Sequence, residues 1–364
     1  MAIKTKAALF REPGIPLEIA GVELNEEVLA GFVVCKVIMS TICGSDLHTI
    51  SGRRKEPAPL ILGHEIIGEV VSIGKNFRKS RYGDNFGVGD RITWSIMASC
   101  DECFFCAHGL PQKCIRLRKY GHTCFNEVPH LTGGYAEYIC LFSGTAIFRI
   151  PGTVPDEIAT PANCALSTVI NALETSGLEK GDTVLVQGSG LLGLNMIALA
   201  KEAGAGKIIV SDVSPERLEL AERFGADVLV DLRKMSGPEF LSVVSESTGG
   251  RGADVAIELC GVKEAAPLAI QALRTGGRYV VAGLVSPGSD FVLDGNTLTR
   301  KTLTIKGIHN YHPEHLGKAV RFLEMNSGKY PYGELVGEIF PLEQINEAVA
   351  IAATGKYIRI GIRP

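Results

Sequence analysis

Long unbroken apolar runs are missing from the 364-residue chain: its one uncharged stretch of 18 residues, 183–200, is interrupted by Gln187, Gly188, Ser189 and Gly190, so a membrane-spanning helix is not expected. The first nine residues contain Lys4 and Lys6 but neither an apolar run nor a small-residue cleavage site, which argues against a secretory signal. Charge of one sign is not in excess. Against 37 Lys and Arg stand 40 Asp and Glu, a net charge of −3, and the pI is near 6.3. That balance offers no electrostatic footprint for nucleic acid or for an anionic membrane surface. Low-complexity tracts, heptad arrays and internal repeats are also missing, which excludes coiled-coil and solenoid architectures. A reducing, cytoplasmic setting is the simplest expectation.

What is present is a chain of 46% hydrophobic and 21% charged residues, too long for one ordinary core, so two domains are expected. Up to about residue 150, short β-branched runs such as 31–34 and 66–71 alternate with Gly and Pro, a pattern of strands in a mostly β domain. Strand-like runs then follow at 183–186, 207–210, 256–259 and 279–282. Helical segments are expected at 191–203, 215–224 and 264–273. Such alternation implies an α/β domain with a doubly wound parallel sheet covered on both faces. Further helices are expected at 314–326 and 345–353. The expected division is 1–155 for the β domain, 156–295 for the doubly wound domain, and 296–364 for a return segment completing both.

Ten cysteines in a long chain without an export signal point to metal or catalytic thiols more than to a disulfide scaffold. Cys100, Cys103, Cys106 and Cys114 form C-x2-C-x2-C-x7-C, and four thiolates at this spacing can close a tetrahedral zinc site. An iron–sulfur cluster is the rival. Its common spacing, however, puts the fourth cysteine three residues on and before a proline, whereas here Ile115 follows Cys114. A zinc with four protein ligands has no open position and would stabilise a lobe without taking part in chemistry.

Cys43-Gly44-Ser45-Asp46-Leu47-His48 and Gly63-His64-Glu65 offer a thiolate and an imidazole for a second metal. A third ligand would leave one coordination position open, but spacing alone does not select these residues over ordinary core positions. Gly188-Ser189-Gly190-Leu191-Leu192-Gly193 follows an expected strand and opens an expected helix, the context in which glycines let a pyrophosphate approach a helix N-terminus. Gly188, Gly190, Leu192 and Gly193 are therefore the expected cofactor cradle. Asp212 follows the next strand, where a carboxylate can bond the adenosine ribose hydroxyls and repel a 2′-phosphate, favouring NAD.

Taken in order, the Cys-x-Ser-Asp-x-His segment, the Gly-His-Glu segment and the four-cysteine lobe resemble those of the zinc-containing medium-chain alcohol dehydrogenases, over essentially the entire chain. The resemblance implies a GroES-like β catalytic domain carrying two zinc sites, a Rossmann cofactor domain, and reaction in the cleft between them. It gives Cys164, in Pro161-Ala162-Asn163-Cys164, the role of third catalytic-zinc ligand beside Cys43 and His64. Sorbitol- and threonine-type relatives usually carry Glu there, so Cys164 favours an ordinary alcohol dehydrogenase over a polyol or amino-alcohol enzyme; a catalytically silent zinc and nucleotide binder is the further alternative.

By the same resemblance Ser45 accepts the alcohol proton, which passes by the nicotinamide ribose to His48 and so to solvent. Asp46 orients His64, and Glu65 supports the site or serves as a transient ligand. Arg217 contacts the adenosine ribose, and Arg359 contacts the pyrophosphate. A reversible oxidation of a primary or secondary alcohol with NAD, in a homodimer or homotetramer, is what the family implies.

Three features stand outside this scheme. His309, His312 and His315 form an H-x2-H-x2-H series, but Pro313 is expected to start a helix inside it, so loop and helix-start positions are expected in place of a metal site. Residues 308–316 also resemble a subgroup that includes phosphonate-catabolism-associated and hydroxycamphor dehydrogenases. Arg53-Arg54-Lys55 either lines a pocket mouth, favouring a substrate with phosphonate, phosphate or carboxylate, or forms a solvated loop. Cys35, Cys124, Cys140 and Cys260 have no motif partners and are expected to be small core residues.

Overall fold

The computed structural model describes residues 3–25 and 29–364. The chain divides into two compact units, one formed by 1–167 with 312–364 and the other by 168–311.

In the first unit an eight-stranded sheet runs in the order Val336–Pro341, Arg359–Arg363, Val33–Thr41, Glu65–Ile73, Arg91–Ala98 and Arg118–Lys119. Tyr138–Leu141 pairs with Val33–Thr41, and Thr145–Arg149 with Arg91–Ala98. A three-stranded sheet of Glu18–Leu24, Ile3–Phe10 and Leu60–Ile61 completes the β structure. The unit has two apolar cores, one joining strands of both sheets around Leu9, Phe10, Leu60 and Tyr135, the other within the eight-stranded sheet around Val33, Ile66, Trp94 and Tyr120. Register here sets up chemistry. Thr41 lies opposite Glu65, and Gly361 lies opposite Thr41, so residues distant in sequence meet at one end of the sheet.

The second unit is a six-stranded parallel sheet in the order Val228–Asp231, Lys207–Asp212, Thr183–Gln187, Ala253–Glu258, Leu273–Val281 and Thr304–Gly307. Strand order reverses beside Thr183–Gln187, the first strand of the unit, which is the topological switch point of a doubly wound sheet. Thr183–Gln187 and Ala253–Glu258 are buried at every position, as central strands covered on both faces must be. The fold class expected from the sequence is therefore the one observed.

Most elements lie within a few residues of their expected bounds, including Pro313–Asn326 and Ile345–Ala353. The Val228–Asp231 strand and the Gly237–Ser247 helix were not foreseen. The first is four residues long, and the second begins Gly-Pro, which reads as a turn until Ser236 and Glu239 are seen to form its capping box. One cysteine expectation is corrected. Cys35 and Cys140 are fully buried, but Cys260 is exposed in the loop after Ala253–Glu258.

Candidate metal centre and nucleotide cradle

The strand Val33–Thr41 runs into Cys43, which caps the short helix Gly44–Ile50. The cap is closed by Asp46, whose Oδ2 accepts the Cys43 backbone N–H at 2.9 Å. Ser45 and His48 lie three residues apart on this helix and so share a face. Just before the facing strand Glu65–Ile73, Gly63 precedes His64 with a φ of +86°, and a Cβ there would lie 2.7 Å from the Tyr135 ring. Tyr135 Oη in turn donates to Asp46 Oδ2 at 3.2 Å. Glycine is thus needed for the packing that brings His64 to Asp46.

Ligand atoms of Cys43, His64, Glu65 and Cys164 all lie within 4.8 Å of one another. His64 Nδ1 is 3.3 Å from Asp46 Oδ1, close but off the direction of a hydrogen bond, while Nε2 lies 3.4 Å from Ser45 Oγ. Cys164 follows the 3-10 turn Thr160–Asn163. That turn is tied to the site by Asn163 Nδ2, which donates to the carbonyls of His64 at 3.0 Å and Trp94 at 3.1 Å. Asn163 is a positioning residue that the sequence did not disclose.

The structure also gives Arg359 contacts that the sequence did not foretell. Its Nε and Nη2 donate to Glu65 Oε2 and Oε1 at 2.8 and 2.9 Å, Nη2 lies 3.5 Å from Cys43 Sγ, and Nη1 donates to the Ile358 carbonyl. Thr41 Oγ1 adds a third hydrogen bond to Glu65 at 2.6 Å. Both Glu65 oxygens are therefore engaged. Two thiols and one imidazole remain for a metal, the composition of a three-ligand catalytic zinc site with one open position, and these residues fit that ion.

The electrostatics suit a cation. A hydrogen bond from Cys164 holds the Cys43 thiol well below its ordinary range against the cost of burial, with Arg359 and His64 helping. Cys164, the donor partner, is pushed up by that same bond and by burial. Burial disfavours a charged His64, yet Asp46 and Cys43 outweigh it and hold the ring above the usual imidazole range. Burial raises the Glu65 carboxyl, and Arg359 opposes the rise. A divalent metal binding here would displace the protons these groups share. At the outer end of the helix, His48 is depressed by burial first and then by Arg53 and Arg54, with Cys43 pulling the other way.

Cys100, Cys103, Cys106 and Cys114 form a second cluster within the same 4.8 Å limit. Sulfurs approach at 3.4 Å for Cys114 to Cys100, 3.5 Å for Cys103 to Cys106 and 3.9 Å for Cys100 to Cys106. Backbone N–H groups of Cys100 and Arg116 both donate to Cys114 Sγ at 3.3 Å. Burial opposes ionisation of Cys100, but the N–H groups of Glu102 and Cys103 bring its thiol down to about 6. All four side chains are buried with little else than Leu117 against them. Four sulfurs so placed fit a closed tetrahedral zinc.

In the second unit Gly188 ends the Thr183–Gln187 strand with a φ of +95°, and Gly190 caps the helix Leu191–Glu202. A Cβ on Gly193 would meet the Gly188 carbonyl at 1.9 Å, whereas one on Gly190 would meet nothing within 4 Å. Gly193 therefore permits strand–helix packing, and Gly190 keeps open the space before the helix N-terminus, a cradle that fits a pyrophosphate. Leu192 lies in the first turn of that helix. Asp212 ends the neighbouring strand, 8% exposed, and accepts the N–H groups of Ser189 at 2.6 Å, Val213 at 2.7 Å and Ser214 at 2.9 Å. It organises the glycine loop as well as facing it. Arg217 donates its backbone N–H to the Ser214 cap, and its side chain is half-buried.

The remaining motifs resolve locally. His312 caps Pro313–Asn326, accepting the Glu314 N–H on Nδ1, while His315 Nδ1 accepts the His312 N–H at 3.1 Å, so these two rings serve a helix start. Arg53 and Lys55 are exposed. Arg54 turns inward, its backbone N–H on the His48 carbonyl at 2.9 Å and its guanidinium on Glu56 at 2.6 Å.

Comparison with known proteins agrees with this geometry. Residues 30–152 match the alcohol dehydrogenase GroES-like domain and residues 192–325 match the zinc-binding dehydrogenase domain. The chain is 30% identical to a 5-exo-hydroxycamphor dehydrogenase of Pseudomonas putida over 90% of its own length and 91% of that protein's. An alcohol dehydrogenase from Thermotoga maritima superposes with a TM-score of 0.93 at 30% identity, covering 100% of both chains. A putative zinc-binding dehydrogenase from Sinorhizobium meliloti, bound to NADP, superposes with a TM-score of 0.85 at 25% identity, covering 100% of both. With two thiol clusters, a glycine cradle and relatives matched over nearly the whole chain, the protein belongs to the zinc-dependent medium-chain alcohol dehydrogenase family.

Proposed function

We propose that this protein oxidises a primary or secondary alcohol reversibly to an aldehyde or ketone, with NAD as hydride acceptor and two zinc ions per chain. The observation that carries the reading is the convergence of Cys43, His64 and Cys164 beside Ser45, while Arg359 and Thr41 occupy both oxygens of Glu65. Three ligands suit a zinc that would supply Lewis acidity, bringing an alcohol's proton within reach near neutral pH, and NAD would supply the hydride acceptor.

The residues of the chain supply the rest. Cys43, His64 and Cys164 hold the ion, and Asp46 orients the His64 ring from its far side. Ser45 Oγ, at hydrogen-bonding reach of the ligand cluster, receives the proton of the alcohol. His48, neutral at physiological pH because burial and two arginines depress it, exchanges that proton with solvent. Glu65 and Arg359 form a buried counter-charge pair that keeps the thiolate side of the site in place. Cys100, Cys103, Cys106 and Cys114 hold the structural ion.

Gly188, Gly190, Leu192 and Gly193 take the pyrophosphate, and Asp212 the adenosine ribose, with Arg217 beside it. A pyrophosphate contact from Arg359 would compete with Glu65 for the same guanidinium. Elemental analysis of the purified protein should give about two zincs per chain. C164S should keep the structural zinc, lose the other, and form no NADH from any alcohol. Unchanged turnover in C164S would overturn the reading.

A further inference from the structure

Beside the metal centre, within the same compact unit, lies a cavity of about 320 Å³ lined by Arg54, Glu56, Lys119, His122 and Thr123, with Leu117 at its side. Two observations connect it to the centre. The His122 ring stacks on His64 with centroids 5.4 Å apart, and the backbone of Arg54 is bonded to His48. Its charges do not cancel. Of the lining cations, Arg54 is paired with Glu56 at 2.6 Å and Arg118 with Glu127 at 3.5 Å. His122 Nδ1 lies 3.2 Å from Glu56 Oε1, close but off the direction of a hydrogen bond. Both lining carboxylates are thus taken, and the Lys119 ammonium has no hydrogen-bond or ion-pair partner among the described residues.

Lys119 is half-buried, at the edge strand Arg118–Lys119 paired to Arg91–Ala98. A cation removed from water without a counter-ion costs free energy that an incoming anion would recover. Burial first, then the nearby charge of Arg54, draws the ammonium below the ordinary lysine range, while Glu56 and Cys164 oppose the fall. The His122 ring that lines this cavity is the one stacked on the ligand His64, so the cavity borders the metal centre. An alcohol that reached the open position could therefore set an acidic group against Lys119.

We infer that this cavity is an anion subsite, in which Lys119, assisted by Arg54, holds a carboxylate or phosphonate group of the alcohol substrate. The inference rests on the dehydrogenase reading and names the substrate class within it: alcohols that also bear an oxyanion. Arg54 supplies a fork suited to two oxygens, and Lys119 a point charge. Arg53 and Lys55, exposed outside the cavity, do not belong to the subsite.

The test compares matched alcohols on the zinc-loaded protein with NAD: γ-hydroxybutyrate against its amide, and hydroxypropyl phosphonate against its dimethyl ester. The two pairs separate carboxylate from phosphonate as the favoured oxyanion. In the unaltered protein kcat/KM should favour the anionic member of at least one pair by about tenfold or more, the scale of one charge-assisted hydrogen bond. K119M should abolish that preference, whereas K75M, which removes the same charge from an exposed position, should keep it.

A second readout needs no turnover. Calorimetric titration with propylphosphonate, which has no hydroxyl to oxidise, should show binding that weakens about tenfold in K119M. Should K119M fail to fold, R54Q carries the same expectation. Neutral members turned over as well as anionic ones, with no Lys119-dependent binding of propylphosphonate, would overturn the inference while leaving the dehydrogenase reading intact. Lys119-dependent binding without oxidation of any alcohol would support the subsite and sink that reading instead.

Discussion

Replacing Glu65 by Gln or Arg359 by Met should cost much more separately than the two replacements cost together. Glu65 is fully buried and the Arg359 side chain is 10% exposed, joined by hydrogen bonds of 2.8 and 2.9 Å. Removing one member leaves the other as an uncompensated buried charge, an expected loss of about 3–5 kcal/mol. E65Q should fall at the lower end, because Cys43 Sγ, 3.5 Å from Nη2, supplies part of the missing counter-charge. R359M should fall at the upper end, since Thr41 alone then faces the carboxylate. The double variant removes both charges and should cost only about 1–2 kcal/mol, as buried pairs exchanged for neutral side chains often do.

The assay is urea unfolding followed by fluorescence of Trp94, the sole tryptophan of the chain, which is fully buried in the same unit and so reports that unit. Each single variant should lower the urea midpoint by about 1–2 M, the loss of about 3–5 kcal/mol divided by a slope of about 3 kcal/mol per M for a unit of this size. Costs that simply add, or single losses below about 1 kcal/mol, would refute the argument that the two charges are coupled.

Two further outcomes follow from the geometry. R53Q should move the acid limb of the pH profile for alcohol oxidation upward by a few tenths of a unit or so. Arg53 depresses His48, so its removal raises the pKa and His48 becomes protonated, and useless as an acceptor, at a higher pH than before. A limb that stays still or moves down would remove His48 from the proton path. D212A should raise the Kd for NAD by roughly tenfold, with a smaller rise for NADP. Both rise, because the same carboxylate also holds the Ser189 N–H of the glycine loop; equal rises would end its role in choosing between the cofactors.

Much of the molecule could be read from local patterns. The parallel sheet was legible because Thr183–Gln187 and Ala253–Glu258 are short apolar runs spaced by helical segments. The four-cysteine cluster was legible because its ligands lie within one loop region. The other cluster was not legible by spacing, since Cys43, His64 and Cys164 come from a helix cap, a strand approach and a turn far apart in sequence. Only resemblance joined them. Asn163 and Tyr135 escaped, as did the contact of Arg359 with Glu65, because these partners are set by strand register and tertiary packing, for which a single sequence gives no signal. Arg54 and Lys119 illustrate the same limit. An Arg-Arg-Lys run drew the eye, yet the fold turns only its middle residue inward and adds a lysine from a distant strand.

The central claim is hydride transfer from an alcohol carbon at the Cys43, His64 and Cys164 centre. It is tested most directly by incubating the zinc-loaded protein with NAD and alcohols deuterated at the carbinol carbon, then locating the label. Deuterium is expected at C4 of the reduced nicotinamide, lost together with activity in C164S. Reduced nicotinamide without the label, or label transfer that survives in C164S, would contradict it.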